Sequence, residues 1–229
     1  MSQSTTAAPR LRTRKPGPDR RREIADAALR LVSAHGLGRF TTAALAAEVG
    51  VTDGALFRHF DTKEDIVLAA IDRVEEVLFA GFPPEAADPL ERLGLFFRSR
   101  VDVIRDRPGI SRVLVSDELA HAAPAEGVAR VLGFRRRSEA FVRSCLAEAA
   151  RDGVLAPGIH VDTALVLVLG AILALAHVPP AGRARAPAAA SPERVWTTLE
   201  TFLRGPLPRD PTADRRSPRR MERQHKENT

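Results

Sequence analysis

The chain lacks most of the residues on which disulfides and aromatic interiors depend. Its 229 residues include one cysteine, one tryptophan and no tyrosine, and aromatic residues make up 5% of the sequence. A lone cysteine, Cys145, excludes an internal disulfide, so the fold has to be stabilised by packing alone. This composition favours a globular protein of the reducing cytoplasm.

Long hydrophobic segments are also absent. The longest apolar run covers thirteen residues, 164–176, whereas a membrane-spanning helix needs about 20. The first nine residues are polar and contain no apolar stretch of the kind found in secretory signals. We therefore predict a buried helix at 164–176, no membrane partner and no secretory segment.

Signatures of enzymes and metal sites are missing as well. The six histidines show no His-Glu-x-x-His spacing, and no cysteine and histidine cluster has zinc-finger spacing. The chain has neither a glycine-rich phosphate loop nor a Gly-x-Ser-x-Gly elbow. We predict no cofactor, no metal and no catalytic residue, and an enzyme is the less favoured alternative.

Charge is distributed unevenly along the chain, whose formal net charge is +6. Residues 1–22 hold seven basic and one acidic side chain, residues 205–229 hold seven and four, and the part between them is mildly acidic. Basic arms of this kind commonly contact nucleic acid, and a solubilising role is the alternative, above all for the C-terminal one. We predict a disordered basic arm at 1–18 and a disordered basic tail at 205–229.

Apolar residues recur with helical spacing in the remaining sequence, and signals for strands are scarce. The first predicted helix ends at Gly36, and the fourth opens with a capping box, formed by either Asp61 and Glu64 or Thr62 and Asp65. The other helices are predicted at about 42–49, 52–59, 89–106, 109–120, 125–151, 161–178 and 192–203, with a loop at 179–192. Nine helices define an all-α fold, which we divide into an N-terminal domain at 19–66 and a helical body at 67–204.

Two of these helices, 42–49 and 52–59, are joined by the tight turn Gly50-Val51. Two short helices with such a turn have the shape of a helix-turn-helix, in which the second helix enters the DNA major groove. Small residues at Ala46 and Ala47 allow the two helices to approach closely. A helical hairpin that serves only for packing is the alternative.

The stretch from Arg22 to Ile66, "REIADAALRLVSAHGLGRFTTAALAAEVGVTDGALFRHFDTKEDI", resembles the TetR family of bacterial transcription regulators. The matching features are an alanine-rich first helix that ends in a glycine, Thr-x-x-x-Leu-Ala in the second helix, Gly-Val-Thr at the turn, Leu-Phe-x-His-Phe, and Lys-Glu at the start of the fourth helix. The resemblance implies a DNA-binding domain over 19–66 and a divergent helical body for dimerisation and ligand binding.

The resemblance also implies DNA contacts, residue by residue. The start of the second helix meets phosphates through hydroxyls and backbone amides. The start of the third lies nearest the base edges, and residues beyond it reach the DNA backbone. The residues concerned are Thr41, Thr42, Thr52, Asp53, Gly54, Ala55, Phe57, Arg58, His59 and Lys63.

Two features depart from the family. Many members have tyrosine where this chain has Phe57, so a phosphate contact through that hydroxyl is absent. Residues 23–64 carry four basic and six acidic side chains, which makes the module alone a weak electrostatic binder. We therefore expect basic residues before it to supply much of the affinity, namely Arg10, Arg12, Arg14, Lys15, Arg20, Arg21 and Arg22.

The helix at 161–178 is apolar on nearly every side and has to be covered all round. We predict that it pairs with 192–203 and that both meet their symmetry mates in the four-helix interface of a homodimer, as the resemblance also implies. A central core helix of a monomer is the alternative. Several apolar and polar residues of the body either bind an unidentified small-molecule effector or belong to the ordinary core. They are Phe97, Arg100, Val101, Ile104, His121 and Phe141.

These features predict a sequence-specific regulator, most simply a ligand-responsive repressor. Its partner is double-stranded DNA with a palindromic operator, because a symmetric dimer reads two inverted half-sites. Two alternatives share the fold: a DNA-binding protein that organises the chromosome rather than a promoter, and a relative that has lost DNA binding.

Overall fold

The computed structural model describes residues 17–115, 123–177 and 191–205. These residues form nine α-helices and no strand, which confirms the predicted all-α fold. None of the nine combines the length and hydropathy that crossing a membrane requires. The helices are α1 (Gly17–His35), α2 (Thr42–Val49), α3 (Asp53–Leu56), α4 (Lys63–Leu78), α5 (Pro89–Asp106), α6 (Pro108–Val115), α7 (Ala125–Arg151), α8 (Val161–His177) and α9 (Pro192–Arg204).

Several predictions concern residues outside the described ranges. They are the arm before residue 17, the end of the helix at 109–120 together with His121, most of the loop at 179–192, and the tail beyond residue 205. They stay predictions.

The structure decides between the two predicted capping boxes of the fourth helix and corrects the end of the third helix. The capping box of α4 is formed by Thr62 and Asp65, whose backbone N–H groups each donate to the other's side chain, at 2.9 and 3.1 Å. The alternative pair is therefore wrong. The third helix ends at Leu56 rather than at residue 59, because the N–H of His59 bonds the Leu56 carbonyl three residues back, at 2.9 Å, and closes a tight turn.

The body is built around α5. Helices α7, α8 and α9 all pack against α5, whose inner side carries buried leucine and phenylalanine side chains. Gly94 allows α9 to come close, because a Cβ at this position would lie 2.5 Å from Nε1 of Trp196. The boundary that we predict at residue 66 falls inside α4, which packs on α1 as well as on α5 and α7. The two predicted domains thus share one continuous helix.

A second connection joins the N-terminal helices to the body, because α6 packs against α1. Gly109 of α6 is buried at this crossing. A Cβ on Gly109 would lie 2.1 Å from the backbone oxygen of Leu29, closer than any real contact. Because glycine has no Cβ, α6 and α1 can come into contact at this position.

Replacing Gly109 with alanine is expected to destabilise the protein. The added methyl group has to push α6 away from backbone atoms of α1 that cannot rotate aside, and overpacking of this kind costs about 2–3 kcal/mol. Chemical denaturation followed by circular dichroism at 222 nm measures the loss. Gly133→Ala is the control, since a Cβ there meets nothing within 4 Å and alanine favours a helix by up to about 1 kcal/mol. Equal stability of Gly109→Ala and the unmodified protein would contradict the tight crossing.

An ion pair connects the start of α5 to the end of α9. Asp88 caps α5 by accepting the N–H of Leu90 at 2.8 Å. Its carboxylate also accepts hydrogen bonds from both terminal nitrogens of Arg204, at 3.0 and 2.9 Å. The hydrogen bond from Arg204 holds the pKa of Asp88 below its ordinary range, although burial opposes the shift.

Asp88→Asn tests this pair, because asparagine still caps a helix but carries no charge. The carboxylate is more stable in the folded than in the unfolded chain, so its contribution is present above pH about 4 and disappears as the pH falls through the lowered pKa. Both side chains are 35% exposed, so we expect a loss below about 1 kcal/mol at pH 7. Denaturation from pH 7 to pH 3 measures it, and a loss that does not change with pH would argue against the ion pair.

Candidate nucleic-acid interface

Helices α2 and α3 and the turn between them form a compact pair near the N-terminus. Thr41 caps α2, its Oγ1 accepting the N–H of Ala44 at 3.2 Å, and Thr52 caps α3 in the same way through the N–H of Ala55, also at 3.2 Å. Gly50 between the helices has a left-handed backbone, with φ of 69°, a conformation that glycine adopts without steric cost. The sequence therefore encodes both caps and the turn of a helix-turn-helix.

A small apolar core lies beneath the pair. Leu45, Val49, Leu56 and Phe60 are buried and belong to one hydrophobic cluster with Ile24 of α1. These side chains bury the inner sides of α2 and α3. Whatever the pair binds has to approach from the opposite side, where the start of α3 is exposed.

The residues for which the resemblance implies DNA contacts all reach the surface. Phe57 is 41% exposed, and a Cβ on Gly54 would meet nothing within 4 Å. The exposed members of the set are Thr41, Thr52, Asp53, Gly54, Phe57, Arg58 and Lys63, and the partly exposed ones are Thr42, Ala55 and His59. We call these ten residues the reading face.

Two cations of the reading face are available to an anion. Neither Arg58 nor Lys63 forms an ion pair within the described residues, and Lys63 only approaches the ring of Phe40, with its Nζ 5.6 Å from the centroid. By contrast, Arg30 of α1 is paired with Glu48 at 3.0 Å. A cation without a carboxylate partner can bind phosphate without first breaking an ion pair.

The basic residues at the start of α1 are engaged within the protein. Arg20 pairs with Glu23 at 2.7 Å, and Arg22 lies 3.7 Å from Glu76 of α4. Arg21 donates to the backbone carbonyl of His59. These contacts make the three arginines weaker candidates for DNA affinity than we predict from sequence, and Arg10, Arg12, Arg14 and Lys15 lie outside the described residues.

Arg21, which we predict from sequence only as one source of DNA affinity, makes a contact that the sequence pattern does not identify. Its guanidinium lies 4.2 Å from the ring centroid of Phe60 while it bonds His59. Both partners follow α3 directly, so Arg21 ties α1 to the end of the reading face. The contact joins residues 38 positions apart, and no local spacing signals it.

The effector residues that we predict in the body fall into two groups. Phe97, Val101 and Ile104 are fully buried in the hydrophobic core, and the ring of Phe97 lies 5.4 Å from that of Trp196. Arg100 and Phe141 instead line cavities. Arg100 and Phe141 therefore border open space, whereas Phe97, Val101 and Ile104 pack within the core.

Arg100 lies among phenylalanine rings and beside a second arginine. Its guanidinium is 5.0 Å from the centroid of Phe79 and 4.8 Å from that of Phe96. Arg137 of α7 lies 4.1 Å from the same Phe79 centroid, so it stacks on rings rather than pointing only to solvent. Burial, with a smaller effect of the Arg137 charge, lowers the pKa of Arg100 to about 10, so the guanidinium stays charged at pH 7.

An open groove of about 670 Å³ runs between the segment 83–87 and α7. Its lining includes Phe141 and Cys145. Burial raises the pKa of the Cys145 thiol, although a hydrogen bond with Arg92 opposes the shift. A thiol with a raised pKa is a poor nucleophile. In the described part of the chain, no three His, Cys, Asp or Glu side chains are grouped to hold a metal ion.

Helices α8 and α9 each present an exposed apolar side. On α8, Val166 is 68% and Leu167 42% exposed, and on α9 Phe202 is 51% exposed. We call this set the α8–α9 face: Thr163, Val166, Leu167, Gly170, Leu173 and Ala174 of α8, and Thr197, Thr198, Thr201 and Phe202 of α9. The three threonine hydroxyls of α9 donate to carbonyls one helical turn earlier, at 2.8 to 3.0 Å, which satisfies these donors within the helix.

Comparison with known proteins supplies a family for the N-terminal helices. Residues 24–70 match the family described as bacterial regulatory proteins, tetR family. The match covers α1 from Ile24 onward, α2, α3 and the first half of α4, and therefore the whole helix-turn-helix.

Among curated proteins, the chain is similar to nucleoid occlusion factors SlmA. It is 38% identical over 100 residues to SlmA of Vibrio vulnificus strain YJ016, covering 42% of this chain and 51% of that protein. It is 33% identical over 105 residues to SlmA of Marinomonas sp. strain MWYL1, covering 44% and 53%. The chain thus spans about half the length of the curated relatives it matches.

Solved structures match over most of the chain and share its fold. AibR in complex with isovaleryl coenzyme A and operator DNA superposes with a TM-score of 0.66 at 21% identity, covering 82% of this chain and 100% of that one. The ketosteroid transcriptional regulator KstR2 of Mycobacterium tuberculosis superposes with a TM-score of 0.67 at 19% identity, covering 82% and 96%.

Proposed function

We propose, from the match of residues 24–70 to the tetR family of bacterial regulatory proteins, that this chain is a member of that family, a repressor that binds an inverted-repeat operator as a homodimer and responds to a small molecule. The observation that carries the DNA-binding part is the reading face. It combines the exposed start of α3, the hydroxyl-capped start of α2, and the cations Arg58 and Lys63, which form no ion pair within the described ranges. Each of these groups suits a phosphate or a base edge.

The roles we assign across the reading face follow from its chemistry. Thr41 and Thr42 at the start of α2 meet phosphates, because the helix dipole and free N–H groups favour an anion there. Asp53 accepts from a cytosine amino group and Ala55 contacts a thymine methyl. Arg58, His59 and Lys63 bind the DNA backbone, which fixes the register of α3 in the groove.

The α8–α9 face is the proposed dimer interface. Its apolar side chains lie on the outer sides of two helices whose inner sides are already packed on the body. A second copy of the chain offers the same surface, so a two-fold axis buries both copies at once. The internally bonded threonine hydroxyls leave methyl groups to face the partner without unsatisfied donors.

Response to an effector requires that the body alter the spacing of the two reading faces. Helix α4 extends from the helix-turn-helix into the body, and the α6 crossing at Gly109 gives a second contact. Two copies of α3 read half-sites one turn apart only at a separation of about 34–36 Å. A ligand that binds one arrangement of these helices better shifts the population and changes the DNA affinity.

A second candidate function has support of its own. The curated relatives are nucleoid occlusion factors, with up to 42% identity over parts of this chain. A protein of this kind needs the same reading face and the same dimer, and it differs in which sites it occupies on the chromosome. We therefore retain a chromosome-organising role as the alternative to promoter repression.

Selection of bound fragments from a random DNA pool, with the full-length protein at near-physiological salt, tests the proposed function. An inverted repeat with half-sites about one helical turn apart is the expected product. Mapping that repeat on the chromosome separates the candidates, since a repressor has few sites at promoters and an organising protein has many dispersed ones. Recovery of unrelated sequences, or of none, would contradict sequence-specific binding.

A further inference from the structure

Arg100 is a buried cation whose charge no carboxylate of the described residues neutralises. The residue is only 7% exposed. Its Nε is buried and donates no hydrogen bond, and no carboxylate of the described residues pairs with it. An ion in an apolar interior is costly unless it is paired and hydrogen-bonded. A side chain of this kind inside a core calls for an explanation that packing does not supply.

A second positive charge lies close by. The guanidinium groups of Arg100 and Arg137 approach the same ring, that of Phe79. Aromatic faces attract each cation, but the two cations repel each other and carry no acidic counterpart among the described residues. The pair therefore generates a positive potential in an apolar setting, which is the environment that an anion with an apolar body complements.

A small, partly enclosed cavity lies beside Arg100. A cavity of about 30 Å³ is bounded by Phe82, Phe96, Ser99 and Arg100 among others, and one water molecule needs about 10–15 Å³ of such space. A headgroup of a few atoms fits here. Pro84 lines both this cavity and the open groove, and the ring of Phe82 in the cavity lies 5.0 Å from that of Phe141 in the groove, centroid to centroid.

We propose that Arg100 and Arg137 bind the headgroup of a carboxylate ligand whose apolar or aromatic part lies among Phe82, Phe96 and Phe141. The planar guanidinium fork matches a carboxylate with two parallel hydrogen bonds. A phosphate dianion carries more charge into the same apolar surroundings and is disfavoured by its desolvation. This inference rests on the proposed function only for its effect on DNA binding.

Calorimetric titration of the full chain without DNA tests the site. Phenylacetate and butyrate are the probes, phenylacetamide and butyramide are their uncharged analogues, and inorganic phosphate is the competing anion. We expect phenylacetate to bind at least tenfold more tightly than phenylacetamide and than phosphate. Equal affinity for acid and amide, or binding of phosphate as tight as that of phenylacetate, would overturn the assignment.

Variants separate a binding role from a structural one. Arg100→Met is expected to weaken phenylacetate binding at least tenfold without lowering the Tm, because it removes an unpaired buried charge. Arg137→Met, which alters a more exposed side chain, is the second variant should the first fail to fold. Arg135→Met, an exposed arginine of the same helix, is the control and leaves binding unchanged. Unaltered binding in Arg100→Met and Arg137→Met would refute the site.

Addition of saturating phenylacetate to the protein on its selected operator, followed by fluorescence anisotropy of labelled DNA, then separates the two proposals. A change in DNA affinity supports carboxylate control of the regulator. Calorimetric binding with unchanged DNA affinity supports the carboxylate site and removes ligand response from the proposed function.

Discussion

Replacing Leu167 with glutamate is expected to convert the proposed dimer into monomers. In a two-fold interface the substitution occurs twice, so two carboxylates without partners are buried where two leucines met. Desolvation of each costs several kcal/mol, and about 4 kcal/mol in total already raises the dimer dissociation constant by about 1,000-fold. Sedimentation equilibrium at micromolar protein concentration measures the change. A monomer should also lose its affinity for the two-half-site operator, because each half-site then binds alone.

The chain provides a matched control for this experiment. Leu132 of α7 is 43% exposed, against 42% for Leu167, but it does not belong to the α8–α9 face. Leu132→Glu introduces the same charge at the same exposure and should leave the dimer intact. Dissociation by both substitutions, or by neither, would show that the α8–α9 face is not the interface.

Replacing Gly54 with glutamate is expected to reduce operator affinity by about 100-fold without unfolding the protein. The position is exposed, in the first turn of α3, and a side chain there meets nothing within 4 Å. Most residues favour a helix over glycine, so the fold tolerates the change. On DNA, however, each copy brings a carboxylate toward phosphates and base edges, and repulsion of about 1.4 kcal/mol per half-site gives the 100-fold loss over two.

Fluorescence anisotropy of labelled operator measures this loss, and circular dichroism verifies the fold. Gly133→Glu is the control, because Gly133 is also helical with open space beside it but lies in α7. An operator affinity of Gly54→Glu equal to that of Gly133→Glu would mean that α3 does not face DNA and would favour the reading of the hairpin as a packing unit.

The N-terminal helices were predictable because their determinants are local. Thr41, Thr52 and Thr62 each cap a helix through an N–H three residues later, and Gly50 ends α2 with a left-handed residue. Such contacts depend on spacing within one turn, which is visible in a sequence. The helical periods of α5, α7, α8 and α9 are equally local, and the predicted ranges agree with the observed ones to within one residue.

Contacts between distant segments were not predictable in this way. The bond from Arg21 to His59 and the stacking of Arg137 on Phe79 depend on how whole helices cross. The length of α3 is set by the hydrogen bond from the N–H of His59 to the carbonyl of Leu56, which closes a turn in place of a further helical turn. The division of the predicted effector residues into core and cavity also follows from packing, since the pattern of α5 assigns Phe97 and Arg100 similar periodic positions.

The scarcity of aromatic residues has an optical consequence. Because the chain has one tryptophan and no tyrosine, its intrinsic fluorescence arises almost wholly from Trp196, which is buried between α9 and α5. This emission reports the unpacking of the body alone, whereas the helical dichroism signal sums every helix. The difference between the midpoints of the fluorescence and dichroism melting curves therefore measures whether the helix-turn-helix unfolds independently of the body, although the two share α4.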